Sequence, residues 1–455
     1  NSIAVLAFQD MSQDQDQEYL SDGIAEELLN LLARIPELRV ISRSSSFSYK
    51  GKDINLAEVA KELNVAHILE GSVRKAGNQV RITAQLIDAR SDTHLWSHTY
   101  DRTLDDIFAI QDEISATVVD QLKITLLDDM PTTVEINPEA YALYLHARHL
   151  GRQHTTEAWE QSKALIDQAL SIDPGFAAPR AVKRSNYANM TAIGLITRDE
   201  GVRLARQAAE NALEIDPGSG EVYAKLGWLA MVWDGDLSAA ARYYERALEL
   251  DPLNISNLAN AASMMVYLRR YDTAIAMREY VTPRNPLSAV GYFNFAAAYL
   301  AAGRLDEAIL KLQSTLRLSP KFGQAHIWLG KVLMLKGDAQ AGLEMTQQAP
   351  REVFRLIGQA LCLFALGRVE ESDAALAELI EKHEESFSYD IASIWAYRNE
   401  PEQAFAWISK AEEYKDPGLG EPPYDPLFAN IMDDPRWMQF LKRIGKSPAQ
   451  LEAIK

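Results

Sequence analysis

The stretch Ala247-Leu-Glu-Leu-Asp-Pro252 decides the fold, because the chain repeats it twice in almost the same form. It occurs earlier as Ala169-Leu-Ser-Ile-Asp-Pro174 and as Ala212-Leu-Glu-Ile-Asp-Pro217. Pro252 is followed by Pro286 and Pro320 at steps of 34 residues. Proline ends a helix because it lacks the backbone N–H that a further turn requires. The period therefore predicts stacked helix-turn-helix units, each closed by its proline.

Between these prolines, small residues recur at the places where the two helices of one unit would touch. The clearest unit has Ala296 in its first helix and Ala308 in its second, with Tyr292, Phe295 and Tyr299 beside them. This arrangement resembles the tetratricopeptide (TPR) repeat. We predict an all-α TPR solenoid, a right-handed superhelix of about eight units, over residues 139–416. Residues 417–455 are predicted to be a capping segment that covers the last helix pair.

Residues 1–127 show a different pattern, in which short apolar runs alternate with amphipathic helices. The run IAVLAF at residues 3–8 predicts a buried strand, and a helical pattern follows that Pro36 ends. Residues 38–49 alternate and predict another strand, while Gly77-Asn78 predicts a hairpin. This order predicts an α/β domain with a mixed sheet. A linker at residues 128–138 is predicted to join it to the repeats.

Four stretches of this domain also resemble a known family in wording and order. They are SIAVLAFQDMS (2–12), EYLSDGIAEELLNLLARIPELRVISRSSSFSYKGK (18–52), VAHILEGSVRKAGNQVRITAQLIDARSDTHLWSHTYDR (65–102) and LDDIFAIQDEIS (104–115). They resemble the TolB-like N-terminal module found ahead of TPR repeats in bacterial signalling regulators. In that family the pair usually follows a winged-helix DNA-binding domain or a class III adenylate cyclase domain, often with a membrane span between.

The resemblance implies the sensory or regulatory half of a bacterial signalling protein. It implies a location on the periplasmic side of the inner membrane, with anchoring only through a segment that this chain lacks; the cytoplasm is the alternative. The chain shows neither the effector domain nor the span. Since Asn1 directly precedes the first predicted strand, we expect a part of a longer protein.

Charge and composition argue against several functions for this region. The chain carries 46 basic and 64 acidic residues, a net charge of −18. Direct binding to nucleic acid or anionic lipid is therefore not expected. One cysteine, Cys362, excludes an internal disulfide and a multi-cysteine zinc site. Phosphate-binding glycine loops and the common hydrolase motifs are absent, so we predict a non-enzymatic region without cofactor or metal.

The candidate binding residues come from repeat geometry. In a TPR unit, several positions of the first helix face the groove, including positions 6 and 9 when the unit is numbered from its start. An Asn or Lys there is a candidate for a partner's backbone or carboxylate, since Asn both donates and accepts hydrogen bonds. The alternative is that these are ordinary polar groove residues. The candidates are Lys225, Asn260, Asn294 and Trp328 at position 6, and Trp228 and Lys331 at position 9.

We therefore predict a recognition module for a protein, peptide or small ligand, acting in a bacterial signalling protein of the transcriptional-regulator class. Two alternatives stay open: the regulatory region of a class III adenylate cyclase, and a constitutive TPR assembly adaptor. They differ in whether binding changes the output of a linked domain. The sequence leaves the ligand, the compartment and the oligomeric state undetermined.

Overall fold

The computed structural model describes residues 1–53, 55–124, 136–153, 155–176, 178–192, 196–420 and 425–454. Residues 128–135 of the predicted linker lie outside these ranges. The chain forms two compact units, each interrupted in sequence. The first unit is Asn1–Asp234, Arg242–Leu258 and Pro283–Leu287, and the second is Gly235–Ala241, Ala259–Thr282 and Ser288–Lys455.

The first unit begins with a mixed six-stranded sheet in the order β3-β1-β4-β5-β6, with β2 paired to β4. Strand β1 is parallel to both of its neighbours, whereas β4, β5 and β6 are antiparallel. The predicted hairpin joins β4 to β5, and Gly77 has the positive φ of 58° that this tight turn requires. The strands are β1 Ser2–Val5, β2 Gln9–Asp10, β3 Arg39–Val40, β4 His67–Ala76, β5 Gln79–Asp88 and β6 Thr93–Thr103.

Helices cover both faces of this sheet because the side chains of β1 alternate. Ile3 and Val5 belong to a core shared with α1 and α4, while Ala4 belongs to a second core on the other face, with α3. The continuous apolar run at residues 3–8 is thereby explained, since a strand covered on both faces needs apolar residues throughout. The helices of this domain are α1 Glu18–Ala33, α2 Arg43–Ser46, α3 Leu56–Leu63 and α4 Ile107–Gln121.

The strand predicted over residues 38–49 is wrong beyond its first residues. Strand β3 ends at Val40, and the chain turns into α2 and then a 3-10 helix at Phe47–Tyr49. Serine hydroxyls bond to nearby backbone in helical turns: Ser42 Oγ accepts from the backbone N–H of Ser45 at 3.4 Å, and Ser48 Oγ donates to the backbone oxygen of Ser45 at 2.7 Å. Such local bonds compete with a strand's ladder.

The serines at the start of α2 have a second role within the first unit. The side-chain oxygen of Asn285 accepts from the hydroxyls of Ser42, Ser44 and Ser45 at 2.7, 3.1 and 2.9 Å. The backbone N–H of Leu287 donates to Ser45 Oγ at 3.1 Å. Pro283–Leu287 is thus held by hydrogen bonds that no local pattern in the sequence indicates.

Stacked helix pairs follow the α/β domain and confirm the predicted fold class. Among the described residues from Pro138 to Tyr414 there are eight antiparallel pairs. Helix α9 continues into a π-helical turn at Ala230–Asp234. The pairs are α5 Pro138–Gly151 with α6 Thr156–Ile172, α7 Ala178–Ala192 with α8 Arg198–Ile215, α9 Gly220–Leu229 with α10 Leu237–Leu250, α11 Ile255–Tyr267 with α12 Tyr271–Val281, α13 Ala289–Ala301 with α14 Leu305–Leu318, α15 Gly323–Leu335 with α16 Ala339–Gln347, α17 Glu352–Ala365 with α18 Val369–His383, and α19 Ser388–Tyr397 with α20 Pro401–Tyr414.

Small residues allow the two helices of a pair to touch backbone to backbone. A Cβ on Gly330 of α15 would lie 2.2 Å from Thr346 Cγ2 and 2.8 Å from the backbone oxygen of Gly342, both on α16. These distances are far shorter than van der Waals contact, so no side chain fits at Gly330 without movement of α16.

The region after α20 packs on the last pair. It contains 3-10 helices at Pro417–Gly420 and Pro426–Ile431, followed by α21 Pro435–Arg443 and α22 Pro448–Glu452. Six of its apolar side chains enter the core that contains Trp407 of α20. They are Leu427, Phe428, Ile431, Trp437, Phe440 and Leu441. No helix among the described residues is long and apolar enough to cross a bilayer.

Within the first unit, ion pairs around the buried carboxylate of Glu26 join α5 to α1. Arg152 forms two hydrogen bonds to Glu26, at 3.0 and 3.1 Å, and Arg148 and Arg43 lie 3.4 and 2.8 Å from the same carboxylate. Burial raises the pKa of Glu26, but the three guanidinium groups outweigh it and lower that pKa to about 2. Glu26 is therefore ionised at neutral pH, and the network stabilises the folded first unit.

We expect Glu26→Gln to lower the free energy of unfolding of the first unit by about 2–4 kcal/mol at pH 7. Because the folded-state pKa lies below the unfolded value, this contribution is present above about pH 4.5 and is lost as the pH falls toward 2. Urea unfolding measured at pH values from 7 to 2 should show the difference in free energy of unfolding between wild type and Glu26→Gln becoming smaller as the pH falls. The exposed Glu37→Gln is the charge-matched control, and an identical pH profile for both variants would contradict the role of the network.

Gly330→Ala tests the close approach of α15 and α16. The added methyl meets Thr346 and the Gly342 backbone, so we expect a loss of about 1–3 kcal/mol in the stability of the second unit. Thermal unfolding followed by circular dichroism measures it. Ser409→Ala, at an exposed helical position, should change stability by less than about 0.5 kcal/mol. An equally small change in stability for Gly330→Ala would show that α15 and α16 can move apart without a measurable loss of stability.

Candidate functional site

The six predicted groove residues occupy first helices of their pairs in both units. In the first unit, Lys225 of α9 forms an ion pair with Glu221, and Trp228 packs edge-on against Trp233 at 5.9 Å. In the second unit, Asn260 lies on α11 and Asn294 on α13, and both are half-buried. Neither asparagine lines a described cavity.

Trp328 and Lys331, both on α15, are brought together in one cavity of the second unit. Its volume is about 290 Å³. The first helices of the sixth and eighth pairs, α15 and α19, line it together with the start of α17 and the segment after α20. Trp328 and Lys331 hold positions 6 and 9 of their unit, which the repeat numbering predicts to face the groove.

One wall of the cavity is aromatic. Trp328 packs on Phe293 of α13 with ring centres 4.7 Å apart, which fixes its orientation. Phe354 meets Phe387 edge-on at 6.3 Å, and the Arg351 guanidinium lies 5.0 Å from the Phe354 ring centre. An aromatic wall of this kind binds apolar surface and cations.

Carboxylates outnumber cations around Lys331. Its ammonium lies 3.3 Å from Asp390 of α19, and both side chains are mostly buried. Asp416 and Asp425 line the same cavity. Burial raises the pKa of Asp416, against hydrogen bonds from the backbone N–H groups of Tyr389 and Gly418 at 2.9 and 2.7 Å. Burial also raises the pKa of Asp425, against the attraction of Lys331.

These charges change what Lys331 can do. We predict a lysine at position 9 as a candidate for a partner's carboxylate, but here Lys331 already pairs with Asp390. Two further aspartates and one further cation, Arg351, line the same cavity. A further negatively charged group would be repelled by these aspartates, whereas a lysine or arginine side chain would offset their negative charge. With its aromatic wall, the cavity therefore favours a positively charged group attached to an apolar stem.

The thiol near this cavity is not activated. Cys362 is buried on α17, and burial raises the pKa of its thiol to about 12, so it is not a thiolate at neutral pH. No group of three His, Cys, Asp or Glu residues within the described ranges could hold a metal ion.

Sequence reasoning missed most of the lining. Asp390 could have been found, because Ile391 and Ala392 correspond to positions 7 and 8 of the eighth unit and place Asp390 at position 6. Arg351, Asp416 and Asp425 lie outside the repeat positions and carry no such signal. Their place in the cavity depends on how the last pairs and the following segment pack.

A second cavity, of about 420 Å³, lies in the first unit. It contains none of the six predicted residues. Tyr19 of α1 stacks on His146 of α5 at its edge, with ring centres 4.7 Å apart. Its charged lining residues are Lys75, Asp105 and Glu139.

Comparison with known proteins assigns both parts of the chain. Residues 1–117 match the second domain of HilA/YgeH-like transcriptional regulators. Residues 266–321 and 293–352 match tetratricopeptide repeats. The first match concerns a regulator domain, as expected, although under a different description from the TolB-like module, which remains a prediction for residues 1–127.

Individual proteins show similarity over part of their length. The chain is 42% identical over 184 residues to "Putative adenylate cyclase 3" of Rhizobium meliloti, which is 40% of this chain and 31% of that protein. It is 24% identical over 251 residues to protein FlbA of Caulobacter vibrioides, covering 49% of this chain and 42% of that protein. The chain thus spans less than a third of the cyclase relative's length.

Two solved structures align with about half of this chain. A tetratricopeptide repeat protein from Parabacteroides merdae aligns with 54% of this chain and 99% of its own, at 19% identity and a TM-score of 0.41. The Pseudomonas aeruginosa pilF structure aligns with 48% of this chain and 98% of its own, at 17% identity and a TM-score of 0.38.

The Lys331–Asp390 pair can be tested by a double-mutant cycle. We expect a coupling free energy of about 1–3 kcal/mol, because both partners are mostly buried and Asp390 loses its ion-pair partner when Lys331 is removed. Lys331→Ala, Asp390→Ala and the double variant are compared by urea unfolding. The exposed pair Lys336–Asp306 is the control and should give less than about 1 kcal/mol. Equal coupling energies for the two pairs would contradict a buried charge cluster.

Proposed function

We propose that this chain is the recognition and regulatory region of a bacterial signalling protein, and that the cavity between α15 and α19 is where its array binds a partner. The observation that carries the proposal is the combination, in one chain, of a regulator domain at residues 1–117 with TPR repeats. TPR arrays bind other chains along their grooves, and this one has a formed cavity there.

The partner is a protein or peptide that inserts a lysine or arginine into the cavity. The cavity is lined by three aspartates and by two cations, Lys331 and Arg351. This formal excess of negative charge supports a basic group, and the aromatic wall supports its apolar stem. A small cationic ligand has the same chemistry. Overall acidity of the chain would add long-range attraction for a basic partner.

The output would come from a domain outside residues 1–455. Similarity to a protein named as an adenylate cyclase favours a cyclase, and the HilA/YgeH-like match favours a transcriptional regulator. Reading the coding sequence upstream of Asn1 would distinguish these two alternatives, since a class III cyclase domain and a winged-helix domain have different sequences and folds. A constitutive adaptor is the remaining alternative, and it predicts binding without any change in output. The periplasmic location remains a prediction.

Affinity capture from the native host's extract tests the site. We expect a partner that is retained by the wild type and lost with Asp390→Asn/Asp425→Asn, because these changes remove the negative excess with little change in volume. Glu413→Gln/Glu385→Gln, two exposed positions in the same unit, is the charge-matched control. Asn260→Ala/Asn294→Ala asks whether the predicted asparagines contribute.

A partner retained by the cavity variant but lost with the asparagine variant would move the site along the groove. A partner retained by both variants would contradict recognition by this face of the array. If the partner binds, fusing the chain to its natural effector and measuring output with and without the partner distinguishes a regulator from an adaptor.

A further inference from the structure

The last described residues of the second unit return to a distant helix pair. We define the C-terminal segment as Lys446–Ile454. Arg270, in the turn after α11, donates through Nη2 to the backbone oxygen of Ile454 at 2.6 Å. The Lys446 ammonium lies 5.4 Å from the ring centre of Tyr267 at the end of α11. Repeat units ordinarily contact only their neighbours, and the eighth pair is four pairs away from the fourth.

The C-terminal segment is buried and preorganised. Ser447 and Leu451 are 2% exposed, and Ile454 is 9% exposed. Ser447 and Gln450 form a reciprocal capping box, and Pro448 occupies the first turn of α22. The segment is thus a short capped helix that presents two apolar side chains three residues apart.

A turn separates this segment from the cap of the array. Trp437 and Phe440 of α21 belong to the core of the last pairs, and Ile444 packs against it. Gly445 then turns the chain with a φ of 73°, in open space. The left-handed turn ends α21, with the Lys446 N–H bonded to the Leu441 oxygen at 2.8 Å. The core contacts of Trp437, Phe440 and Ile444 are thus all made by residues ahead of Gly445.

The segment also touches the wall of the cavity. Lys446 Nζ donates to the backbone oxygen of Leu419 at 2.7 Å. Leu419 lies beside Gly418, and Gly418 and Asp416 line the cavity. Removal of the segment would free this carbonyl and loosen the 3-10 turn at Pro417–Gly420.

We propose that the C-terminal segment is a releasable cover over the end of α11 and its turn, and that a partner helix of the same chemistry displaces it. Such a helix carries a lysine ahead of its cap and two apolar residues three positions apart, and it offers a backbone carbonyl to Arg270. This inference rests on the proposed function, because release of the cover is what would couple partner binding to the cavity wall.

A peptide added in trans tests the cover without any natural partner. The probe is a fluorescent peptide of residues 444–455, and the receptor is the chain ending at Gly445, which keeps α21. We expect the shortened chain to bind the peptide at least about tenfold more tightly than the full chain, whose own segment competes as an intramolecular ligand. Fluorescence anisotropy measures both. Equal affinities, or no binding to the shortened chain, would overturn the proposal.

Arg270→Ala in the shortened chain should weaken peptide binding about fivefold or more, because it removes a charged hydrogen bond to the peptide backbone. Lys321→Ala, which removes an exposed cation elsewhere in the same unit, should leave binding within about twofold. Equal effects of the two substitutions would show that the peptide binds by charge alone, away from the fourth pair.

Hydrogen exchange on the full chain keeps the test valid if the shortened chain does not fold. Arg270→Ala should speed exchange of amides in residues 449–454 about fivefold or more, with the amides of α21 unchanged. If hydrogen exchange of the α21 amides becomes faster by the same factor, the segment is part of the cap and does not release separately. Neither assay uses an external partner. A negative result in the partner-capture experiment and a negative result for release of the C-terminal segment can therefore be told apart.

Discussion

The array depends on one constraint, the close approach of paired helices at positions that hold small residues. At Gly330 and Gly342 the backbones of α15 and α16 come so near that a single methyl group would collide with its neighbour. Ala296 and Ala308 fill the equivalent places in the fifth pair, and both are fully buried. Each pair is thereby a rigid block, and stacking blocks sets which side chains of the first helices share a surface.

The cavity is a consequence of that stacking. Lys331 and Asp390 lie 59 residues apart in sequence and meet because α15 and α19 are both first helices of their pairs. The region after α20 supplies two more carboxylates. The result is a partly buried cluster in which negative charge exceeds positive charge. Such a cluster is costly unless it meets a cation, which is the physical basis for assigning it a basic partner.

Charge is used differently in the first unit. Glu26 is surrounded by Arg43, Arg148 and Arg152, so a single buried carboxylate joins α1, α2 and α5. Arg43 and Arg148 also pair with Asp22 and Glu27, at 3.9 and 3.3 Å. The low pKa of Glu26 follows from the three guanidinium groups around it. Where the second unit leaves a charge excess beside an open cavity, the first unit neutralises its buried charge internally. This contrast distinguishes the Glu26 network, which stabilises the fold, from the cavity that we propose binds a partner.

The sequence by itself determined the repeat period, the helix pairs and the hairpin at Gly77, because each depends on residues within one or two turns of one another. It also gave Trp328 and Lys331 their positions within one unit, since a 34-residue period carries position numbers from unit to unit. Only the tertiary structure decided that Asp390 faces Lys331, that Glu26 joins α1 to α5, and that Lys446–Ile454 returns to the fourth pair. These contacts join residues tens to nearly two hundred positions apart, and no local periodicity encodes them. The same holds for α2, where serine hydroxyls bonding to nearby backbone overrode an alternating pattern that predicts a strand.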